Sequence, residues 1–191
     1  GKPLSIDEAI PLIFQVLDGL EYAHNVEIPN VKLADGTIGK AYGLVHRDLK
    51  PANILLTNVG TNIIAKIADY GLSKSFDLAG LSGLSMSGSV AGSPAYMPRQ
   101  QVLNFKYAKP EVDVWAAAAC LYYMLTGSVP RNAAHKDPWL VVLQTQATPI
   151  RERVPSIPAR LAEVIDQALI DNPHLYFKSA IAFKQALESA L

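Results

Sequence analysis

The sequence predicts a mainly α-helical fold with short β-hairpins, and three observations carry that expectation. Apolar residues recur at helical spacing through the first 25 positions. Short strand-like runs flank one dense polar loop between 45 and 56, and nearly everything after 112 repeats with a helical period. The chain has 191 residues, half of them hydrophobic, with 17 basic side chains against 17 acidic, which is ample material for one folded domain with a core.

The balanced charge offers no general attraction to nucleic acid or to an anionic membrane, although a neutral total can contain a local cluster of one sign; no nucleic-acid partner and no membrane segment in this stretch are expected. The single cysteine, Cys120, excludes an internal disulfide framework and suits a reducing, cytoplasmic compartment. Its setting, AAAACLYYML, reads as a buried small hydrophobe rather than a reactive thiol. The longest apolar run, VWAAAACLYYML, is too short to span a bilayer, and residues 1–19 lack the basic-then-apolar order of a secretion signal.

Taken in order, SIDEAIPLIFQVLDGLEYAHN opens with Ser5 and, three residues later, Glu8. Ile10, Ile13, Phe14, Leu17 and Leu20 then mark one face of an amphipathic helix. In VEIPNVKLADGTIGKAYG, residues 26–43, Asp35-Gly36 stands between two extended runs and predicts a two-residue hairpin turn. LVHRD and NILLT read as short strands around the polar loop, and NIIAKIADYG as a further strand ending at Asp69-Tyr70-Gly71. SKSFDLAGLSGLSMSGSVAGSP, rich in Gly and Ser, reads as a long loop. DVWAAAACLYYMLTG, DPWLVVLQ, IPARLAEVIDQAL and SAIAFKQALESAL complete a helical second half.

The polar loop VHRDLKPANILL has a plain reading as a solvated turn punctuated by Pro51. Yet His46-Arg47-Asp48-Leu49-Lys50-Pro51-Ala52-Asn53 resembles the protein-kinase catalytic loop H-R-D-L-x-x-x-N, and Asp69-Tyr70-Gly71 stands where that family has D-F-G. Gly92-Ser93-Pro94-Ala95-Tyr96-Met97 is similar to the segment preceding A-P-E, and Asp113-Val114-Trp115 opens a core helix ending in LTG. Any one short motif has a substantial false-positive risk, but four in the right order outweigh the plain turn. Lys50 and Pro51 look like the serine/threonine branch, and the whole resembles prokaryotic kinases of the eukaryotic type.

The resemblance implies an enzyme using ATP and Mg²⁺ on protein substrates that offer Ser or Thr hydroxyls. It casts Asp48 as the group that orients the attacking hydroxyl and Lys50 as a cation for the phosphoryl oxygens. Asn53 and Asp69 become hard oxygen ligands for Mg²⁺, with Lys50 beside them on the nucleotide. His46 is expected to be structural, packed under Tyr70, and Asp113 to be a buried acceptor for loop amides. Residues 69–100 would form the activation segment, in which Ser82, Ser85, Ser87 or Ser89 is a candidate phosphorylation site opposite Arg47. Ser93 is set apart, because its hydroxyl would belong with Asp48 and Lys50.

The chain also departs from the family. The resemblance begins at the helices of the carboxy-terminal lobe, and no G-x-G-x-x-G loop or V-A-I-K lysine stands ahead of them. The chain therefore reads as a fragment whose natural partner is a missing amino-terminal lobe, expected to fold but to be inactive alone. Residues 26–43 read as an inserted hairpin. Pro98-Arg99-Gln100 replaces A-P-E, and Asn172 to Phe177 stands for D-P-x-x-R-F, so the Glu and Arg of a family ion pair are both gone. A neutral contact between Gln100 and Tyr176 is expected in their place. The alternative function is a non-catalytic, pseudokinase-like scaffold. Such a module would be expected to lose Asp48, Asn53 or Asp69 first, and all three stand.

Overall fold

The computed structural model describes residues 2–32, 36–60, 62–70, 74–75, 93–134 and 136–191. Helix α1 (Ile6–Asn25) begins where Ser5 and Glu8 predict it. The Ser5 hydroxyl accepts the Glu8 N–H while the Glu8 carboxylate accepts the Ser5 N–H at 2.8 Å, which satisfies two orphan amides reciprocally. Its buried stripe includes Ile10, Ile13, Leu17 and Leu20.

β1 (Glu27–Lys32) and β2 (Ile38–Tyr42) form an antiparallel hairpin with a register irregularity between Ile28 and Val31, where Asn30 takes a φ of 58°. The described ladder ends at the Lys32 and Ile38 pair, and Asp35 of the expected turn lies outside the described residues. On the return, the Gly43 N–H donates to the Val26 carbonyl at 3.0 Å, with a φ of 71° that favours glycine.

β3 (Leu44–Val45) is shorter than the LVHRD run suggested. Arg47 adopts a φ of 69°, a left-handed conformation that no strand can continue. β4 (Ile54–Val59) and β5 (Asn62–Ile67) pair antiparallel from Ile54 with Ile67 to Val59 with Asn62, and β6 (Lys74–Ser75) pairs with β3. A side-chain amide docks β5 on α1: Gln15 Nε2 donates to the Ile63 carbonyl at 3.2 Å and its Oε1 accepts the Ala65 N–H at 2.9 Å. Gly19 allows the close approach, since a Cβ there would lie 3.2 Å from Ile67 Cδ1. The chain is thereby fixed two residues before Asp69.

The second half contains α2 (Arg99–Leu103), α3 (Glu111–Thr126), α4 (Pro138–Gln144), α5 (Ile150–Arg153), α6 (Ala159–Ala168) and α7 (Ala180–Ala190). The sequence signalled the longer helices; α2 and α5 span about a turn each, too short to show a period. α3 is the central element. It is buried at every position from 112 to 122, the mark of a helix surrounded by others. The run Ala116-Ala117-Ala118-Ala119 keeps its surface low, and α1, α6 and α7 contribute Ile13, Leu161, Ile165 and Phe183 to the same core. Trp115 donates its indole N–H to the Leu169 carbonyl at 3.0 Å, tying α3 to the end of α6. No helix among the described residues is long and apolar enough to cross a membrane.

Cys120 lies on α3 with no exposed surface, and burial pushes its thiol pKa up. Since the thiolate is the reactive form, iodoacetamide at pH 8 should leave the native chain unlabelled and modify Cys120 only as urea unfolds the core. Labelling at the rate of a free thiol without denaturant would contradict this packing.

Candidate active site

The polar loop is built on Asp113, which stands in the first turn of α3 with 1% of its surface exposed. Its carboxylate accepts the His46 N–H on Oδ2 and the Arg47 N–H on Oδ1, both at 2.8 Å, and His24 Nε2 from the last turn of α1 reaches Oδ2 at 2.9 Å. The amides that a continued strand would have spent on a neighbour are spent here instead, which is why β3 stops at Val45.

His46 is fully buried and both its ring nitrogens are used. The Asp48 N–H donates to Nδ1 at 3.2 Å, so Nε2 carries the hydrogen and donates to the Ala68 carbonyl at 3.0 Å. Its ring lies against Tyr70, with centroids 4.7 Å apart, and burial followed by the charge of Asp113 raises the Tyr70 hydroxyl pKa.

Around Asp48 the structure brings four side chains together. Lys50 Nζ donates to Asp48 Oδ2 at 2.6 Å and to Ser93 Oγ at 3.1 Å, and the Ser93 N–H donates to Asp48 Oδ1 at 3.1 Å. Asn53, buried at the end of the turn Pro51–Asn53, donates its amide nitrogen to the Asp48 carbonyl at 2.8 Å. Its side-chain oxygen remains as an acceptor. Asn53 also binds the second stretch through its backbone, since its carbonyl accepts the Ala68 N–H at 2.9 Å, one residue before Asp69. Asp69 itself is exposed and takes a φ of 60°. Left-handed backbone at two non-glycine residues costs roughly 1–3 kcal/mol each and persists only where surroundings impose it. An amide oxygen and a carboxylate on adjoining stretches are hard donors of the kind that hold Mg²⁺ together with phosphates and water. Among the described residues no cluster of three or more His, Cys, Asp or Glu could hold a metal by itself.

Arg47 points inward rather than to solvent. It is 2% exposed, its guanidinium carbon lies 5.7 Å from the centre of the Phe105 ring, and among the described residues Nε and Nη2 have no hydrogen-bond partner. Desolvation lowers its pKa, partly countered by Asp113. Its carbonyl accepts the Gln101 side-chain amide at 2.6 Å. Gly71, Ser82, Ser85, Ser87 and Ser89 lie outside the described residues.

The expected contact between Gln100 and Tyr176 does not form as a hydrogen bond. Gln100 donates to the Asp171 carbonyl at 2.6 Å and its Oε1 is left without a partner, whereas Tyr176 is half exposed with its ring edge-on to Phe177. A different pair fills the region. Arg131 and Asp171, both buried, form an ion pair that also receives the Arg99 N–H. No periodicity or motif links residues 40 positions apart in this way, and His24 was missed on Asp113 for the same reason.

The profile of the protein kinase domain matches residues 1–177. The chain belongs to the protein kinase domain family. Among its relatives, the serine/threonine-protein kinase Pkn1 of Myxococcus xanthus is 32% identical over 193 residues, which cover the whole of this chain and 25% of that protein. The carbon catabolite-derepressing protein kinase of Candida albicans is 39% identical over 125 residues, 65% of this chain and 16% of that protein. The serine/threonine-protein kinase PknA of Mycobacterium tuberculosis is 29% identical over 184 residues, 96% of this chain and 37% of that protein. The chain thus spans well under half the length of these relatives.

This kinase site hangs on Asp113. Asp113→Ala leaves two buried amides without an acceptor, at roughly 1–3 kcal/mol each, so a loss of about 3 kcal/mol or more and a melting point lower by about 6–12 °C are expected. Asp113→Asn, which keeps one oxygen, should fall between. A melting curve for Asp113→Ala within about 2 °C of the parent would show that the carboxylate does not hold the loop.

Proposed function

We propose that this chain is the carboxy-terminal lobe of a serine/threonine protein kinase, which transfers the γ-phosphate of Mg·ATP to Ser or Thr hydroxyls of other proteins. The observation that carries the reading is the cluster of Asp48, Lys50, Asn53 and Ser93 on a loop fixed from below by Asp113. The likeness to the serine/threonine-protein kinases Pkn1 and PknA supports the serine/threonine branch. In this reading residues 26–43 are an inserted hairpin and 69–100 the activation segment.

Asp48 orients the acceptor hydroxyl and takes its proton as the new phosphate ester forms and the bond from the γ-phosphorus to the departing ADP breaks. Lys50, already bridging Asp48 and Ser93, offers an ammonium to the phosphoryl oxygens where charge accumulates. Asn53 and Asp69 would hold Mg²⁺. Bound Mg·ATP supplies the transferable phosphoryl group and the cation that offsets its charge. His46 takes no proton in this scheme, because both ring nitrogens serve backbone groups.

In a γ-phosphate transfer assay on a longer protein that carries this chain, Asp48→Asn is expected to reduce transfer by roughly 10²–10⁴-fold, and Asp69→Asn is also expected to abolish most of it. The 191-residue chain alone should turn over negligibly, since aligning the reactants from the nucleotide side is worth on the order of 7–11 kcal/mol of barrier. Transfer indifferent to both substitutions would hand the case to a non-catalytic scaffold.

The unpartnered donors of buried Arg47 support a regulatory role as well. A phosphoserine brings nearly two negative charges and three acceptor oxygens, so mass spectrometry of active protein should find phosphate on Ser82, Ser85, Ser87 or Ser89. A phosphate-free stretch from 72 to 94 in fully active protein would remove this role.

A further inference from the structure

Arg131 and Asp171 come from two loops, one following α3 and one following α6, and each side chain is only 2% exposed. Each of the three guanidinium nitrogens of Arg131 donates a hydrogen bond. Nη2 bonds Asp171 Oδ2, Nη1 donates to the Met97 carbonyl at 3.2 Å, and Nε donates to the Thr145 carbonyl at 3.1 Å. Its face lies 4.7 Å from the centre of the Trp115 ring. Asp171 adds two ties of its own: Oδ2 accepts the Arg99 N–H at 2.7 Å, and its main-chain carbonyl accepts the Gln100 amide at 2.6 Å. Residues 97, 99 and 100 are therefore fastened to one buried ion pair. The same segment is fastened at its other end to the polar loop, through Ser93 on Asp48 and Lys50 and through Gln101 on the Arg47 carbonyl.

We propose that Arg131 and Asp171 are positioning residues, which set the register of residues 93–101 against the polar loop and so hold the Ser93 N–H on Asp48. The inference rests on reading Asp48 as the group that orients the acceptor hydroxyl. Stability alone does not account for the pair, because well-packed apolar residues commonly replace a buried ion pair at no net cost. Direction is what an apolar pair lacks. A planar guanidinium addresses a carboxylate and two carbonyls at fixed angles, and neither a lysine nor a hydrocarbon reproduces that fork. The pair also explains how this chain keeps the end of the segment anchored with Gln100 and Tyr176 in place of charged residues.

The test compares the 191-residue chain with Asp171→Leu, with the double variant Arg131→Met and Asp171→Leu, and with Arg131→Lys. The readouts are melting temperature and residue-resolved amide hydrogen exchange. Asp171→Leu strands a buried guanidinium and should melt lowest, while the double variant should recover most of that loss. In the recovered double variant, and in Arg131→Lys, the Ser93 and Arg99 amides should exchange at least tenfold faster than in the parent, with α1 and α3 amides unchanged. Parent-like exchange at Ser93 and Arg99 in either variant would overturn the proposal, whatever the melting point. Neither readout needs phosphate transfer, so failure here is distinct from failure of the functional reading, which the Asp48 and Asp69 variants decide.

Discussion

One buried carboxylate organises this molecule. Asp113 sits on the helix that every other long helix packs against, and it meets the polar loop at two consecutive amides. Consecutive N–H groups converge on a single acceptor only when the backbone turns sharply between them, and Arg47 supplies that turn at a φ of 69°. The strain of the loop and the rigidity of the core are thus coupled. α3 cannot shift without carrying the loop, and the loop cannot relax without leaving a buried charge short of partners. His24 draws α1 into the same arrangement, so three segments distant in sequence share one anion.

Two buried arginines show what such surroundings do with charge. Arg131 has a partner for each guanidinium nitrogen, a carboxylate and two carbonyls, with an indole face beside it. Arg47 is just as buried yet, among the described residues, leaves Nε and Nη2 without partners, with a phenyl ring as its neighbour. The first arrangement is complete as it stands. The second carries a desolvation cost that an anion would offset.

Much of this was legible in the sequence, for identifiable reasons. Ser5 and Glu8 act over three residues, and the apolar repeats of α1, α3, α6 and α7 act over one helix face, so local chemistry determines them. The ordered polar motifs placed Asp48, Lys50, Asn53 and Asp69 within one family before any coordinates. Packed-fold interactions outside the family motifs were not legible. Gln15 reaches a strand edge 48 and 50 residues away, His24 meets Asp113 across 89, and Arg131 finds Asp171 across 40. The long-range contacts that were expected, Asp113 on the loop amides, Ser93 with Asp48 and Lys50, His46 against Tyr70 and Gln100 with Tyr176, came from family positions alone. For Gln100 that reading took no account of Asp171, whose carbonyl accepts its amide.

The hairpin of β1 and β2 leaves the chain at Val26 and comes back at Gly43, where one backbone hydrogen bond of 3.0 Å closes its base. Its two feet therefore stand side by side, and the path from α1 to Asp113's loop is the same length whether the excursion is long or short. Lengthening such a closed excursion adds only slowly to its entropic cost. Natural variation can rewrite its tip, and an engineer can graft onto it, while the polar loop registers neither change. Any strain at that tip would reach the loop through the base of the hairpin, where Gly43 bonds Val26 three residues before His46.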